Sequence, residues 1–172
     1  LGPEMKSTGE VMGIDHSYQP ALAKALLAAG MMLPAKGSVL LSIADRDKPE
    51  AIPIIKGFAA AGYTLYATEG TAAMIRALNL PVNEISKRLS GARPNVVDII
   101  RDGAVQGVIN TLTGGRTPLQ DGFEIRRAAV EMRIPCFTSL DTLRAVVESL
   151  QNATQHYSVL PLAQYLAPLR GQ

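Results

Sequence analysis

Five short apolar runs rich in β-formers recur along this chain, and the segments between them carry apolar residues at helical spacing. The runs are SVLLSI (38–43), TLYA (64–67), PVNEI (81–85), GVIN (107–110) and PCFTS (135–139). The helical segments carry Ile52, Ile55 and Ala59, then Ala72, Ile75 and Leu78, then Val96, Ile99 and Ile100, then Ile125, Ala128, Ala129 and Met132. A last helix follows with Leu140, Leu143, Val147 and Leu150. Strands apolar throughout are buried on both faces, and parallel strands need a connection long enough to hold a helix. The alternation therefore predicts an α/β fold, a doubly wound parallel five-stranded sheet between two helical layers, that is, a three-layer sandwich.

Local chemistry marks the boundaries. Asp47, Asn95 and Asp121 are each able to cap freed backbone N–H groups, and Pro49 falls early in its helical turn. Ahead of the first strand, Pro20 suits a first turn and Gly30 a stop, so PALAKALLAAG predicts a lead-in helix. The stretch to about Ile14 is polar and glycine-rich and has neither period. The tail HYSVLPLAQYLAPLR predicts a final strand or short helix. The expected organisation is an opening arm (1–15), a lead-in helix and linker (16–35) and the sheet domain (36–172). A start at Leu1 rather than methionine reads as a piece of a longer polypeptide.

A chain of 172 residues with 47% hydrophobic content suits one domain with a sizeable core. Its net charge of +2 comes from 17 basic and 15 acidic side chains without a lysine or arginine block, so no nucleic-acid partner is expected. Cys136 has no cysteine to pair with, and His16 and His156 lie too far from it in sequence to make a zinc cluster, so no metal site is expected. That composition suits a reducing cytoplasm. No apolar run approaches the roughly 20 residues that cross a bilayer, and the first residues have no leader pattern, so no membrane is expected.

Ligands of open parallel sheets bind outside the carboxyl ends of the strands. The residues there are rich in phosphate-binding groups. Lys48, in SIADRDK (42–48), falls near a helix start and brings a mobile positive charge, although a lone lysine there is most often a solvated surface group. In ATEGTA (67–72), Thr68 and Thr71 bracket Gly70 as a helix begins, where free N–H groups and the helix dipole favour an anion. Gly70 permits close backbone approach. An ordinary helix cap with a turn glycine accounts for one threonine but not for both. Lys87 follows the third strand as a second positive charge. The fourth strand runs into Asn110, Thr111, Leu112, Thr113, Gly114, Gly115 and Arg116, whose amide and hydroxyl groups suit phosphate or ribose oxygens; Arg116 and Asp121 shape the ribose or base side. No G-x-x-x-x-G-K-[ST] or G-x-G-x-x-G is present, and no histidine is placed for Ser-His-Asp catalysis.

These strings resemble the methylglyoxal-synthase-like domain family, and within it the allosteric domains at the carboxyl end of carbamoyl-phosphate synthetase large chains. SIADRDK (42–48), ATEGTA (67–72), NEISKRLSGARPNVVDIIRDG (83–103), INTLTGG (109–115) and DGFEIRRAAVEMRIPCFTS (121–139) follow that domain in order. LGPEMKSTGEVMG (1–13) is similar to the end of the ATP-grasp domain that precedes it. The resemblance implies that Lys48, Thr68, Thr71, Lys87, Asn110 and Thr113 hold an effector phosphate. NTLTGGR is one residue longer than the pattern in some bacterial relatives, which places Leu112 where a threonine otherwise stands.

It further implies a non-catalytic regulatory piece of a ligase, glutamine-hydrolysing carbamoyl-phosphate synthase, serving pyrimidine and arginine biosynthesis. Its partners would be UMP or IMP, the rest of the large chain, the glutaminase small chain and oligomer neighbours. ATP, Mg2+ or Mn2+, and K+ would belong to other parts of the parent enzyme, with no cofactor here. Ornithine and phosphoribosyl pyrophosphate also act on such bacterial enzymes, and N-acetylglutamate on ammonia-using animal relatives; two lysines paired with two threonines favour a phosphorylated effector. Two other readings stay open. One is a methylglyoxal-synthase-type phosphate lyase, whose family carries a catalytic aspartate just after the Ser-Gly of the third-strand loop; this chain has Ser90, Gly91, Ala92, Arg93, Pro94, Asn95 and Val96 there, and Asp98 only later. The other is an oligomerisation module.

Overall fold

The computed structural model describes residues 11–87, 94–111, 118–151 and 159–166. The polypeptide divides into two compact units: Leu33–Gln151, and a second made from the two ends, of which 11–32 and 159–166 are described. In the second unit, α1 (Tyr18–Ala28) carries Pro20 in its first turn. Gly30 ends it at φ 66°, a left-handed conformation that glycine adopts without strain. Lys24 Nζ donates to the Ile14 carbonyl at 2.6 Å and to the Tyr165 hydroxyl at 2.9 Å, and pairs with Asp15 at 2.9 Å. One ammonium thus joins the segment before α1 to α7 (Leu162–Leu166), the short helix expected in the tail.

In the larger unit, β1 (Ser38–Ser42), β2 (Thr64–Thr68), β3 (Asn83–Ile85), β4 (Gly107–Asn110) and β5 (Cys136–Phe137) form one sheet. Its order is β3-β2-β1-β4-β5, with every neighbouring pair parallel. Helices α2 (Lys48–Ala60) and α3 (Glu69–Ala77) connect the first three strands, α4 (Val96–Arg101) and α5 (Pro118–Glu131) the rest, and α6 (Leu140–Gln151) follows β5. From β1 the chain steps outward through β2 to β3, then crosses to the other side of β1 for β4 and β5. Right-handed crossovers made in opposite directions fall on opposite faces. So α2 and α3 cover one face, joined by α6 against α2, while α4 and α5 pack together on the other.

The central strand shows why the core closes. Val39, Leu40 and Leu41 are all fully buried. Successive strand side chains point to opposite faces. Leu40 and its register partner Val108 join Val96, Ile99 and Ile100 of α4 and Ile125, Ala128 and Ala129 of α5 in one apolar cluster. Val39, Leu41 and Ile109 face the other layer, where α2, α3 and α6 bury Ile55, Phe58, Ile75 and Leu143. Each such side chain contributes roughly 1.5–3 kcal/mol on leaving water.

Several boundaries differ from expectation for identifiable reasons. The buried face of α2 runs through Ala51, Ile54, Ile55 and Phe58, with Ile52 and Ala59 only half-buried, because helix residues three and four apart share a face and Phe58 sets which face is inward. Met132 is exposed because α5 ends at Glu131 and Arg133 turns the chain at φ 54°. Asn95 caps α4 as expected, its Oδ1 accepting from the N–H groups of Val97 and Asp98 at 2.9 and 3.2 Å. Asp47 stands at the start of α2, but its carboxylate makes no cap bond and accepts from Arg46 Nε at 3.3 Å instead. Asp121 does not cap α5, which has already begun at Pro118, a residue suited to a first turn.

Candidate functional site

β1 and β4 are adjacent, yet the chain leaves them toward opposite layers, so a crevice opens at their carboxyl ends, Ser42 and Asn110. A cavity of about 190 Å³ lies in this region. Its walls include Lys48, Thr68, Gly70, Thr71, Lys87 and Thr111, together with Ser42, Ile43, Ala44, Asp45 and Glu69. The ends of β1, β2, β3 and β4 all contribute.

The threonines are built into the cavity floor. Thr71 is 1% exposed, and its Oγ1 accepts the Ile43 N–H at 3.1 Å. Thr68, 6% exposed at the last position of β2, makes no cap bond to α3 and puts its hydroxyl 3.5 Å from that of Thr71. From the far side, Thr111 Oγ1 accepts the Ala44 N–H at 2.8 Å. Two neighbouring N–H groups past the end of β1 are thus satisfied by hydroxyls from two other strand ends, which ties the three loops into one surface. A hydroxyl that accepts through one lone pair keeps its own proton to donate.

Charge is supplied at the rim. A single 3-10 turn, Asp45–Asp47, delivers Lys48 to the start of α2. Its ammonium lies 2.7 Å from the Gly70 carbonyl and 2.7 Å from Asp45 Oδ1. A Cβ at Gly70 would stand 3.3 Å from that ammonium, so the missing side chain permits the close approach. The hydrogen bond from Lys48 holds the Asp45 carboxyl below its ordinary range. The Lys87 N–H donates to both oxygens of Glu69, at 3.2 and 3.4 Å. Asp45 and Glu69 were not singled out in the sequence. The available signal was their position, next to the two binding loops and opposite in charge to the lysines.

Asn110 behaves differently. It is 3% exposed and does not line the cavity, because it follows Leu40 and Val108 to the α4 and α5 face, where Arg126 Nη1 donates to its Oδ1 at 2.8 Å. Asp121 lies in the first turn of α5, also away from the cavity walls. Thr113 and Arg116 lie outside the described residues, as does His156. His16 belongs to the smaller unit, 5.1 Å from the Tyr165 ring. Among the described residues, no helix is long and apolar enough to cross a membrane.

The family profile of the MGS-like domain matches residues 50–138, just over half of the chain, from the first turn of α2 to the end of β5. The chain belongs to the MGS-like domain family. It is 50% identical over 165 residues to the carbamoyl phosphate synthase large chain of Thermomicrobium roseum (strain ATCC 27502 / DSM 5159 / P-2), a match covering 96% of this chain and 15% of that relative. The chain is therefore homologous to a small part of that protein. The crystal structure of ForH superposes on 76% of this chain and 86% of its own with a TM-score of 0.54 at 21% identity, a likeness of fold.

Proposed function

We propose that this chain is the regulatory segment of a carbamoyl phosphate synthase large chain and that its cavity binds a phosphorylated effector such as UMP or IMP. The observation that carries the reading is the convergence of Lys48, Thr68, Thr71, Lys87 and Thr111 on one cavity in a chain half-identical to such a synthase. The buried Thr71 and Thr111 hydroxyls, which accept backbone N–H groups and keep their own protons to donate, together with the Lys48 ammonium at the rim, suit the acceptor-only oxygens of a phosphate. The segment itself carries no reaction. In the whole enzyme, a ligase of pyrimidine and arginine biosynthesis, effector binding shifts the balance between states of different activity, which requires different affinity for each. ATP, Mg2+ or Mn2+ and K+ act elsewhere in the large chain, ammonia comes from the glutaminase small chain, and the compartment is the cytoplasm.

Thermal melting with UMP, IMP and inorganic phosphate tests this reading. A ligand that binds only the folded state at about 100 times its Kd adds roughly 2.7 kcal/mol of stability. A rise in Tm with a nucleotide supports an effector site; no rise with any of the three favours an oligomerisation module. The phosphate-lyase reading lacks a carboxylate where that family carries its catalytic aspartate, just after the Ser-Gly of the third-strand loop. The Asp98 carboxylate accepts the Asn95 N–H at 3.1 Å as half of the α4 capping box and is not among the cavity walls. Turnover of dihydroxyacetone phosphate by this chain would reverse that conclusion.

A further inference from the structure

The cavity wall carries a group that a phosphate has no use for. Thr71 and Thr111 keep hydroxyl protons to donate and Lys48 brings an ammonium, so these three residues present donors. The Glu69 side chain, in the same wall, presents only acceptors. Glu69 is the first residue of α3, between Thr68 and Gly70, where the dipole of the helix start favours a negative charge. Among the described residues its carboxylate takes one N–H, that of Lys87, shared between Oε1 at 3.2 Å and Oε2 at 3.4 Å. A carboxylate offers about four lone-pair positions, so most of them stay open. Asp45, the other carboxylate of the wall, differs because it is taken up by the Lys48 ammonium at 2.7 Å. Glu69 has no ammonium or guanidinium partner among the described residues.

Two lysines and two carboxylates in the wall leave no net formal charge to draw in an anion alone. An acceptor such as Glu69 is satisfied only by a donor, and the donor has to come from the part of the ligand beyond its phosphate oxygens. We infer that Glu69 is a specificity-determining residue of the cavity: it accepts a hydrogen bond from a sugar hydroxyl of the ligand, so the site selects a sugar phosphate with free hydroxyls over a bare phosphate. This deepens the effector reading above and rests on it. A phosphate bound without such a hydroxyl meets the repulsion of Glu69 and gains nothing in return, which is selection by an unsatisfied wall group. Because Glu69 is exposed, water answers part of that cost, and the discrimination is about tenfold rather than the far larger rejection given by a buried group.

Calorimetric titration of the chain with UMP and with its 2′,3′-dideoxy analogue tests the inference. The analogue keeps the phosphate, the sugar ring and the base but lacks both hydroxyls. The unmodified chain is expected to bind UMP about tenfold more tightly than the analogue, and in Glu69→Ala that ratio is expected to fall to about one. If Glu69 served only to hold the Lys87 segment, both ligands would weaken together and the ratio would survive, which would overturn the inference. Glu69→Gln keeps an oxygen for the Lys87 N–H but loses the charge; its ratio is expected to be about two- to threefold, and it decides should Glu69→Ala fail to fold. Equal binding of UMP and the analogue by the unmodified chain also overturns the inference while leaving the effector site standing. If the unmodified chain binds neither UMP, IMP nor phosphate, the effector reading falls and this inference with it.

Discussion

The loops after β1 and β2 and the end of β4 contribute to the same site in opposite ways. On the first side, Thr68 and Thr71 are buried in the floor and share a hydrogen-bonded surface with the N–H of Ile43. On the second, consecutive residues part company: Thr111 reaches the Ala44 N–H inside the cavity, while Asn110 turns to Arg126 on the α5 face. The difference follows from the pleat, which sends neighbouring strand residues to opposite faces, whereas the helical turn at Glu69–Thr71 brings its threonines together. A motif written contiguously across a strand end is therefore two half-motifs, each with its own supporting layer.

Removing charge from the first side should have the largest effect on binding. A hydrogen bond to a charged group contributes roughly 1.5–3 kcal/mol, so Lys48→Ala should weaken UMP binding about ten- to hundredfold by calorimetry. Its melting temperature should hardly move, because Asp45, its ion-pair partner, is 94% exposed. A large stability loss with intact binding would make Lys48 structural. Next comes Thr71→Val, which keeps the shape but leaves the buried Ile43 N–H without an acceptor; urea unfolding should show a loss of about 1–3 kcal/mol, and UMP binding should fall with it. Thr111→Val should cost about 1 kcal/mol by the same mechanism at Ala44. Equal effects on binding from both valine variants would erase the contrast between the two sides. An undiminished affinity in Thr111→Val alone would sharpen it.

The smallest effect belongs to Asp45→Asn. The Asp45 carboxylate pairs with the ammonium that a phosphate would take, so its removal should tighten UMP binding by a few-fold. Its folded-state pKa is lowered, so the stabilising contact is present above the ordinary carboxylate value of 3.8 and is lost only as pH falls through the lower folded value. Between pH 5 and 8 the variant and the parent should therefore share one pH profile. That profile should follow the second ionisation of a phosphate monoester, near about 6. Divergent profiles in that window would assign the titration to the protein.

Much of this was legible in the residues. Continuous apolar runs gave away β1, β2 and β4 because parallel strands are buried on both faces, and Asn95 was legible as the cap of α4, although the reciprocal Asp98 contact that completes the capping box was not. β5 shrank to Cys136–Phe137, and β3 begins at Asn83, two residues after Pro81, which has no N–H for a ladder. The cavity residues were found through the rule that places ligands at strand ends. Side-chain direction was not legible, since the fate of Asn110 depends on which layer Leu40 and Val108 face, and on a glycine twelve residues later that admits Arg126. Nor was the role of Asp45, a charge that matters only once the fold sets it beside Lys48.

A crystal structure of this chain grown with UMP would show directly whether the cavity at the ends of β1 and β2 holds the phosphate. The phosphate is expected within about 2.7–3.2 Å of the Thr68 and Thr71 hydroxyls and the Lys48 ammonium, with Asp45 released from that lysine. UMP bound away from the carboxyl ends of β1 and β2, or a cavity whose Lys48–Asp45 bridge is intact beside a bound nucleotide, would contradict that expectation.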